Sequence, residues 1–517
     1  MKYRMGIDVG GTNTDAVILD EKRNVVAETK VPTSGDVYTG IMEAVRTVLR
    51  LSGIDALDVD KAMLGTTQCT NAIVERKSLA QVALVRLGAP ATTGIDPMTD
   101  WPMELKQVCR HWTVIGGGYE YDGKILSELD EDALRDFLES VKGKVDALAV
   151  SGVFSTLRDD QEKRVREIAT QVLGEDVHIS LSSEIGSMGL VERENATILN
   201  AALHKVARAF TQGFAKSLKD EGLENVRLYL SQNDGTLMSI EDALRWPVLT
   251  IACGPTNSIR GASYLSDLQN AIIVDVGGTT TDIGALQNGF PRESGVAVTI
   301  GGVRTNFRMP DVISIGLGGG SIVRRHEDGS VTVGPDSVGY RITSKALVFG
   351  GDTLTATDIA VFLGMADVGD RSLVASLDRQ LALDAMDVIR EMIEDAIDSM
   401  KLSADDVDVV LTGGGSIIVP QRIAGARKVV MPAHFGCANA IGSAMSKVSG
   451  YYEKLVSYDE IEREKALQLA SNEAILEASR SGALMDSVEI VELEDVPLQY
   501  YPGNMVRIRI KAAGELA

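Results

Sequence analysis

The sequence predicts an α/β protein built from two related halves. Three observations predict it. The stretch Asp8-Val9-Gly10-Gly11-Thr12-Asn13-Thr14-Asp15 returns as Asp275-Val276-Gly277-Gly278-Thr279-Thr280-Thr281-Asp282, with only Asn13 against Thr280 differing. Each copy stands between two short apolar runs, which reads as two strands joined by a tight turn. Each is followed by a third strand after a polar turn, so whole units repeat and not merely eight residues. Farther on, strands alternate with amphipathic helices, the pattern of right-handed crossovers onto parallel sheets.

The turn chemistry points to phosphate. Paired glycines let a backbone approach a ligand closely and turn its N–H groups inward. The hydroxyls of Thr12, Thr14, Thr279 and Thr281 are expected to add donors nearby. Asp8 or Asp275 alone would repel a phosphate. Either makes sense with a divalent cation between, since Mg²⁺ commonly takes one or two carboxylates plus phosphate oxygens. For one copy, an ordinary Gly-Gly hairpin is the competing reading. Two copies agreeing in carboxylate, glycines and threonine favour the ligand loop.

Duplicated DxGGTxxD hairpins resemble the phosphate motifs of the superfamily of actin, sugar kinases and heat-shock chaperones. That resemblance implies two ribonuclease-H-like domains of the actin-like ATPase type facing across a nucleotide cleft. A second segment is more specific. Gly65-Thr66-Thr67-Gln68-Cys69-Thr70-Asn71-Ala72-Ile73-Val74-Glu75-Arg76-Lys77 is similar to the GTTxxTNAxxER stretch of the hydantoinase/oxoprolinase family. From the residues alone, two threonines end a strand and open a helix whose free N–H groups attract anions. Asn71 and Glu75, four apart, share one helix face. A helix cap and a surface Glu75-Arg76 pair are the bland alternative.

Composition sets limits. The chain has 517 residues, 44% hydrophobic and 24% charged, which suits two or three globular domains. A net charge of −22 argues against a nucleic-acid partner. The N-terminus enters a strand almost at once, so no signal peptide is expected, and no apolar run is long enough to span a membrane. Cys69, Cys109, Cys253 and Cys437 are widely spaced, which reads as free thiols in a reducing cytoplasm and against a zinc or iron–sulfur site.

Along the chain, Asp36 to Leu51 has helical spacing and Ala80 to Leu87 reads as a strand. Gly88 to Leu126 is long, irregular and rich in Gly and Pro, the mark of a functional loop or inserted subdomain. His111 within it is a candidate substrate contact or metal ligand, against the commoner fate of a packed or surface histidine. Glu128 to Leu181 then alternates helix and strand. Glu192-Arg193-Glu194-Asn195 opens a long helix with an apolar stripe of Leu199, Ala202, Leu203, Val206 and Phe210. Domains are expected at residues 1–190, with an insertion near 88–126, at 191–450, and at 451–517 as a small α+β cap. Val407 to Leu411 followed by Gly413-Gly414-Gly415-Ser416 is similar to the superfamily's adenosine-contacting turn. Asn439 lies in a small-residue segment resembling the helix near the hinge. The chain departs from the family at three places: Gly186 stands where proline is usual, Asp234 interrupts a Ser-Asn-Gly-Gly turn, and Cys253 replaces a serine.

The family resemblance implies an ATP- and Mg²⁺-dependent enzyme that phosphorylates the carbonyl oxygen of a cyclic amide, such as a hydantoin, lactam or 5-oxoproline-like ring, before ring opening. Asp8 and Asp275 would hold the metal through water. Gly10, Gly11, Thr12 and Asn13, with Gly277, Gly278, Thr279 and Thr280, would cradle phosphates. Gly413, Gly414, Gly415 and Ser416 would face adenosine. Thr67, Asn71 and His111 would meet substrate, with Glu75 on the same side counted, like Asp8 and Asp275, as a catalytic residue; no general base is named. Oxoprolinases carry a second catalytic half that this chain does not resemble, so a separately encoded subunit and an oligomer are expected. A ketone-carboxylase subunit, a carbohydrate-type kinase, and a regulatory or reactivating ATPase are the alternatives.

Overall fold

A computed structural model describes residues 2–11, 13–32, 37–294, 298–307, 309–499, 501 and 503–517. The chain opens with an antiparallel meander of β1 (Tyr3–Val9), β2 (Asn13–Leu19) and β3 (Val25–Pro32). The helix Val37–Ser52 crosses over to β4 (Val59–Thr66), which lies parallel to β1. β1 is buried from Met5 to Val9 and β4 from Lys61 to Thr66, Asp8 and Lys61 included. Ile7, Ile18, Val45, Val48, Leu64 and Leu199 meet in the core beneath them.

The next four strands do not extend this sheet. β5 (Val82–Ala89), β6 (His111–Gly116), β7 (Ala147–Gly152) and β8 (His178–Leu181) form a separate parallel sheet in the order β6-β5-β7-β8. Strand–helix alternation specifies parallel pairing but not the partner sheet, and here these strands pair among themselves rather than with the opening meander. The segment Gly88–Leu126 is likewise more ordered than its composition suggests. It holds an edge strand and a turn of 3₁₀ helix at Leu105–Val108. The long helix Leu190–Asp220 then returns the chain to β9 (Arg227–Ser231), parallel to β4. The predicted stripe is buried, from Leu199 to Phe210.

The first sheet thus has the core order β3-β2-β1-β4-β9. The second half repeats it. Here β10 (Leu237–Ser239) continues the first sheet beside β9, and β11 (Ala271–Val276), β12 (Thr281–Gln287) and β13 (Phe290–Pro291) form the second meander. The strands Val407–Thr412 and Ala426–Val430 follow β11 in parallel, giving the same order. The third strand of this meander is split, because Val312–Ile315 also pairs with β12. Val274, Ile283, Ile389, Ile393 and Leu411 fill the second core.

The tail is not a separate cap. Val448–Ser457 runs parallel to β10, Met505–Gly514 pairs with it, and Glu489–Pro497 forms the outer edge. The first sheet therefore has nine strands and joins residues from both ends of the chain. Between the two sheets, the helices Cys253–Ser266 and Ala438–Met445 touch backbone to backbone. A Cβ at Gly442 would overlap the Asn257 carbonyl, and one at Gly261 the Ala438 carbonyl. No helix among the described residues is long and apolar enough to cross a membrane.

His178 on β8 stacks on His204 of the long helix, with ring centroids 4.3 Å apart. Burial, then the neighbouring His204 and the Arg166 and Arg208 guanidiniums, push His178 down to about 3. The folded chain therefore keeps this ring neutral between pH 6.5 and about 3, where the unfolded chain binds a proton. Stability tied to this ring is complete above pH 6.5 and falls on acidification through that window, by ~1.4 kcal/mol per pH unit. The variant His178→Phe keeps the stack and cannot be protonated. Its unfolding free energy is expected to fall less steeply than wild type between pH 6.5 and 5 in urea titrations.

Candidate active site: a cleft between two glycine turns

The two DxGGT turns face one cleft of about 480 Å³. Its walls include Asp8, Gly10, Gly11 and Asn13 from the first turn, and Asp275 with Gly277 to Thr280 from the second. Gly413, Gly414 and Gly415 also line it, together with Thr67. The turns share one internal geometry: Gly10 N–H donates to the Asn13 carbonyl at 3.0 Å, and Gly277 N–H to the Thr280 carbonyl at 2.9 Å. At Gly11 and Gly414 nothing stands within 4 Å of where a Cβ would be, so a ligand can approach the backbone.

The glycine clusters of the second half buttress its turn. Gly319 N–H donates to the Gly277 carbonyl and Gly320 N–H to the Gly278 carbonyl, and the Thr357 hydroxyl holds the Gly319 carbonyl at 2.8 Å. Two further glycines make room for the acids. Gly65 pairs with Asp8 in the β1–β4 ladder, and a Cβ there would overlap Asp8 Oδ1 and Asn257 Nδ2. In the second half, a Cβ at Gly413 would overlap Asp275 Oδ1.

The electrostatics are unusual. Asp8 lies directly opposite Asp15 across the first hairpin, and Asp275 opposite Asp282 across the second. All four line the cleft. Like charges facing each other in a ladder are destabilising. Burial, then the Asp15 carboxylate, raises Asp8 to about 7, against the amides of Asn257 and Asn439, each 3.5 Å away. Burial also raises Asp275, partly offset by hydrogen bonds from Ser258, Asn439 and Thr412 and by Lys30. Burial raises Asp282 to about 6. Asp15 is also raised by burial, although Lys30 Nζ sits 2.7 Å from it. The second half has Ser314 in place of that lysine, opposite Asp282.

Four carboxylates, two buried and two half-buried, with one lysine fit a bound cation. Among the described residues, no three of His, Cys, Asp and Glu come together to hold an ion alone. The donor set therefore suits Mg²⁺, which keeps waters and shares phosphate oxygens. The glycine turns and the apolar Ile342, Phe349 and Ile417 on the same walls fit a nucleotide.

Several expected residues are placed otherwise. Thr12 lies outside the described residues. Thr14 is fully buried, and Thr281 donates to the Leu317 carbonyl, so neither hydroxyl faces the cleft. Ser416 is buried and donates to the Thr412 carbonyl rather than facing adenosine. Glu75, expected as a catalytic residue, ends the helix Gln68–Glu75 on the solvent side, 53% exposed, paired with Lys77 at 3.1 Å and away from the cleft walls. His111 is exposed at the start of the edge strand β6 and does not line the cleft, which corrects its expected substrate contact. Asn71 donates to the Thr67 hydroxyl at 3.3 Å and so supports a lining residue. Arg193, Glu194 and Asn195 form a buried joint. Arg193 holds the Gly152 carbonyl at 2.6 Å, and Asn195 accepts from Trp101 and donates to the Arg304 carbonyl. Asp15, Asp282, Lys30, Asn257 and Asn439 were not singled out as site residues. The closing aspartate of each repeat was the available signal for the first two.

Two sheets of one order, with acid-bearing glycine turns on a common cleft, give the chain a fold of the kind found in actin-like ATPase domains. The chain belongs to the hydantoinase/oxoprolinase family: the family's N-terminal region matches residues 4–173 and its hydantoinase/oxoprolinase domain residues 193–370. It is 27% identical to caprolactamase subunit alpha of Pseudomonas jessenii over 74% of this chain and 58% of that protein. It is 25% identical to acetone carboxylase beta subunit of Xanthobacter autotrophicus over 87% of this chain and 66% of that protein. The match to 5-oxoprolinase 1 of Arabidopsis thaliana covers 70% of this chain and 31% of that protein, at 25% identity. The chain thus spans about three fifths or less of the length of most of these relatives. The solved ATP-dependent caprolactamase of Pseudomonas jessenii shares the fold, with a TM-score of 0.81 at 21% identity over 99% of this chain and 88% of that one.

Proposed function

We propose that this chain is the nucleotide-binding subunit of an ATP-dependent enzyme that activates the carbonyl of a cyclic amide for ring opening. The observation that carries this reading is the meeting of both DxGGT turns and the Gly413–Gly415 turn on one acid-lined cleft. When bound, ATP with Mg²⁺ supplies a phosphoryl group for the amide oxygen, making the ring carbon open to attack. The residues of this chain position and neutralise. The backbones at Gly10, Gly11, Gly277 and Gly278 cradle the phosphates, with Asn13, Thr279 and Thr280 beside them. Asp8 and Asp275 would hold the cation, which would offset the charge of the transferred phosphoryl group. Gly413 to Gly415 and Ile417 wall the adenosine. Thr67, backed by Asn71, lies on the substrate side.

Relatives named as subunits, caprolactamase alpha and acetone carboxylase beta among them, support a partner subunit that completes the ring opening. The likeness to acetone carboxylase over 87% of the chain favours one second reading, in which the same cleft activates a ketone carbonyl. The test is ADP release by the purified protein with and without candidate partner subunits, over a panel of lactams, hydantoins, ketones with bicarbonate, and sugars. Stimulation by lactams or hydantoins alone supports the amide reading. Stimulation by ketones or sugars instead overturns it.

A further inference from the structure

A second cavity, of about 780 Å³, shares no lining residue with the nucleotide cleft. It repeats the design of the cleft at the other end of the same hairpins. The β2–β3 turn supplies residues 23–25 to its wall, and the equivalent β12–β13 turn supplies residues 288–290. β2 and β12 are seven residues long, so the cavity stands roughly 20 Å along those strands from the glycine turns. The two closely packed helices between the sheets contribute Arg260 and Met445. Lys447, at the entry to the strand Val448–Ser457, and Glu489 complete the wall.

Two cations on this wall lack a counter-charge. Arg260 makes no ion pair among the described residues. Its Nη1 donates to the Gly289 carbonyl, and the guanidinium lies over the Phe290 ring, 4.5 Å from the centroid. Nε is enclosed, but Nη2 is neither enclosed nor hydrogen-bonded and opens on the cavity. Burial pushes Arg260 down to about 10, and Glu515 and Asp234 offset this only in part, so the group stays charged at neutral pH. Lys447 is half-buried, and its ammonium has neither a hydrogen bond nor an ion pair among the described residues. The cavity's carboxylates do not answer these two charges: Glu515 is paired with Arg23, and Asp267 and Glu489 are exposed. A sheltered charge without a partner is costly until something neutralises it. A planar guanidinium suits a phosphate or carboxylate group, and an ammonium on the same wall adds a second point charge.

We propose that this cavity binds a small oxyanion of two or more negative charges, of the phosphate or polycarboxylate class, between the outer turns of the two meanders. Its occupancy does not depend on what the cleft holds. The test is calorimetric titration of the full chain with inorganic phosphate, citrate and acetate at constant ionic strength, the cleft first saturated with a non-hydrolysable ATP analogue and Mg²⁺. Phosphate or citrate is expected to bind at one site per chain, at least about tenfold tighter than acetate, and the tighter of the two gives the class. Lys447→Met and Arg260→Met are each expected to weaken that binding about tenfold while leaving binding of the ATP analogue unchanged. The Lys447 side chain has no hydrogen bond or ion pair to lose, so its variant carries the test even where Arg260→Met folds poorly. Absence of phosphate and citrate binding, acetate binding as tightly, or unchanged affinity in Lys447→Met overturns the assignment. Failure of the ATP analogue to bind would instead strike the nucleotide reading, and the same titrations on the free chain with the Lys447 variant would still decide this one.

Discussion

Replacing Asp8 with asparagine is expected to lower lactam-dependent ADP release by about a hundredfold or more, with no loss of thermal stability. The substitution keeps the shape of the side chain and removes its charge. On the proposed function, activity falls because a cation in the cleft would lose one of the two carboxylates assigned to it. Stability does not fall, because Asp8 is buried, is raised to about 7, and directly opposes Asp15. Above its usual titration range the fold bears the cost of ionising it, and asparagine relieves that cost. The measurements are steady-state ADP release, Mg²⁺ titration and a melting curve. Asp275→Asn is expected to behave alike, and the double variant to be little worse than either, since both act on one ion. Full activity in Asp8→Asn would remove its assigned role.

Replacing Glu194 with alanine is expected to cost about 3–5 kcal/mol of stability, the range for a buried ion pair that loses one member. Arg86 and Glu194 are 1% and 0% exposed and meet through two hydrogen bonds of 2.6 Å. Arg86 also holds the carbonyls of Ile95 and Thr92. The pair therefore pins the inserted sheet and the segment after β5 onto the long helix. Urea unfolding measures the loss. The double variant Arg86→Met with Glu194→Leu is expected to recover part of it and not all, because the Ile95 and Thr92 carbonyls stay without a donor. A loss below about 1 kcal/mol in Glu194→Ala would show that the contact is not holding the joint.

The phosphate turns were legible because their chemistry is local. A strand-end acid, two glycines and a threonine carry their meaning within eight residues. The mistaken residues show where local reading stops. Asn71 and Glu75 do share a helix face, but spacing does not say where the helix ends. Arg76 adopts a left-handed φ of 57°, so Glu75 lies in the last turn beside solvent. Lys30, Asn257 and Asn439 reach the acids only through pairing between distant segments, which periodicity does not encode. The same limit hid the second parallel sheet. β5, β7 and β8 read correctly as strands, yet nothing in their apolar runs names the sheet they join. The tail's strands were visible too, and their place beside β10 was not. The cavity beside Arg260 was invisible as a whole, because its walls come from segments scattered between residues 23 and 515.

The nine-stranded sheet has a bearing on how the protein is made. Residues 3–9 are made some five hundred codons before residues 505–514, yet both belong to that sheet. Once β10 is made, its outer flank stays open until residues 448–457 follow more than two hundred codons later. The inserted sheet, contiguous from residue 82 to 181, is free to fold early and to shelter the long helix while the closing strands are awaited.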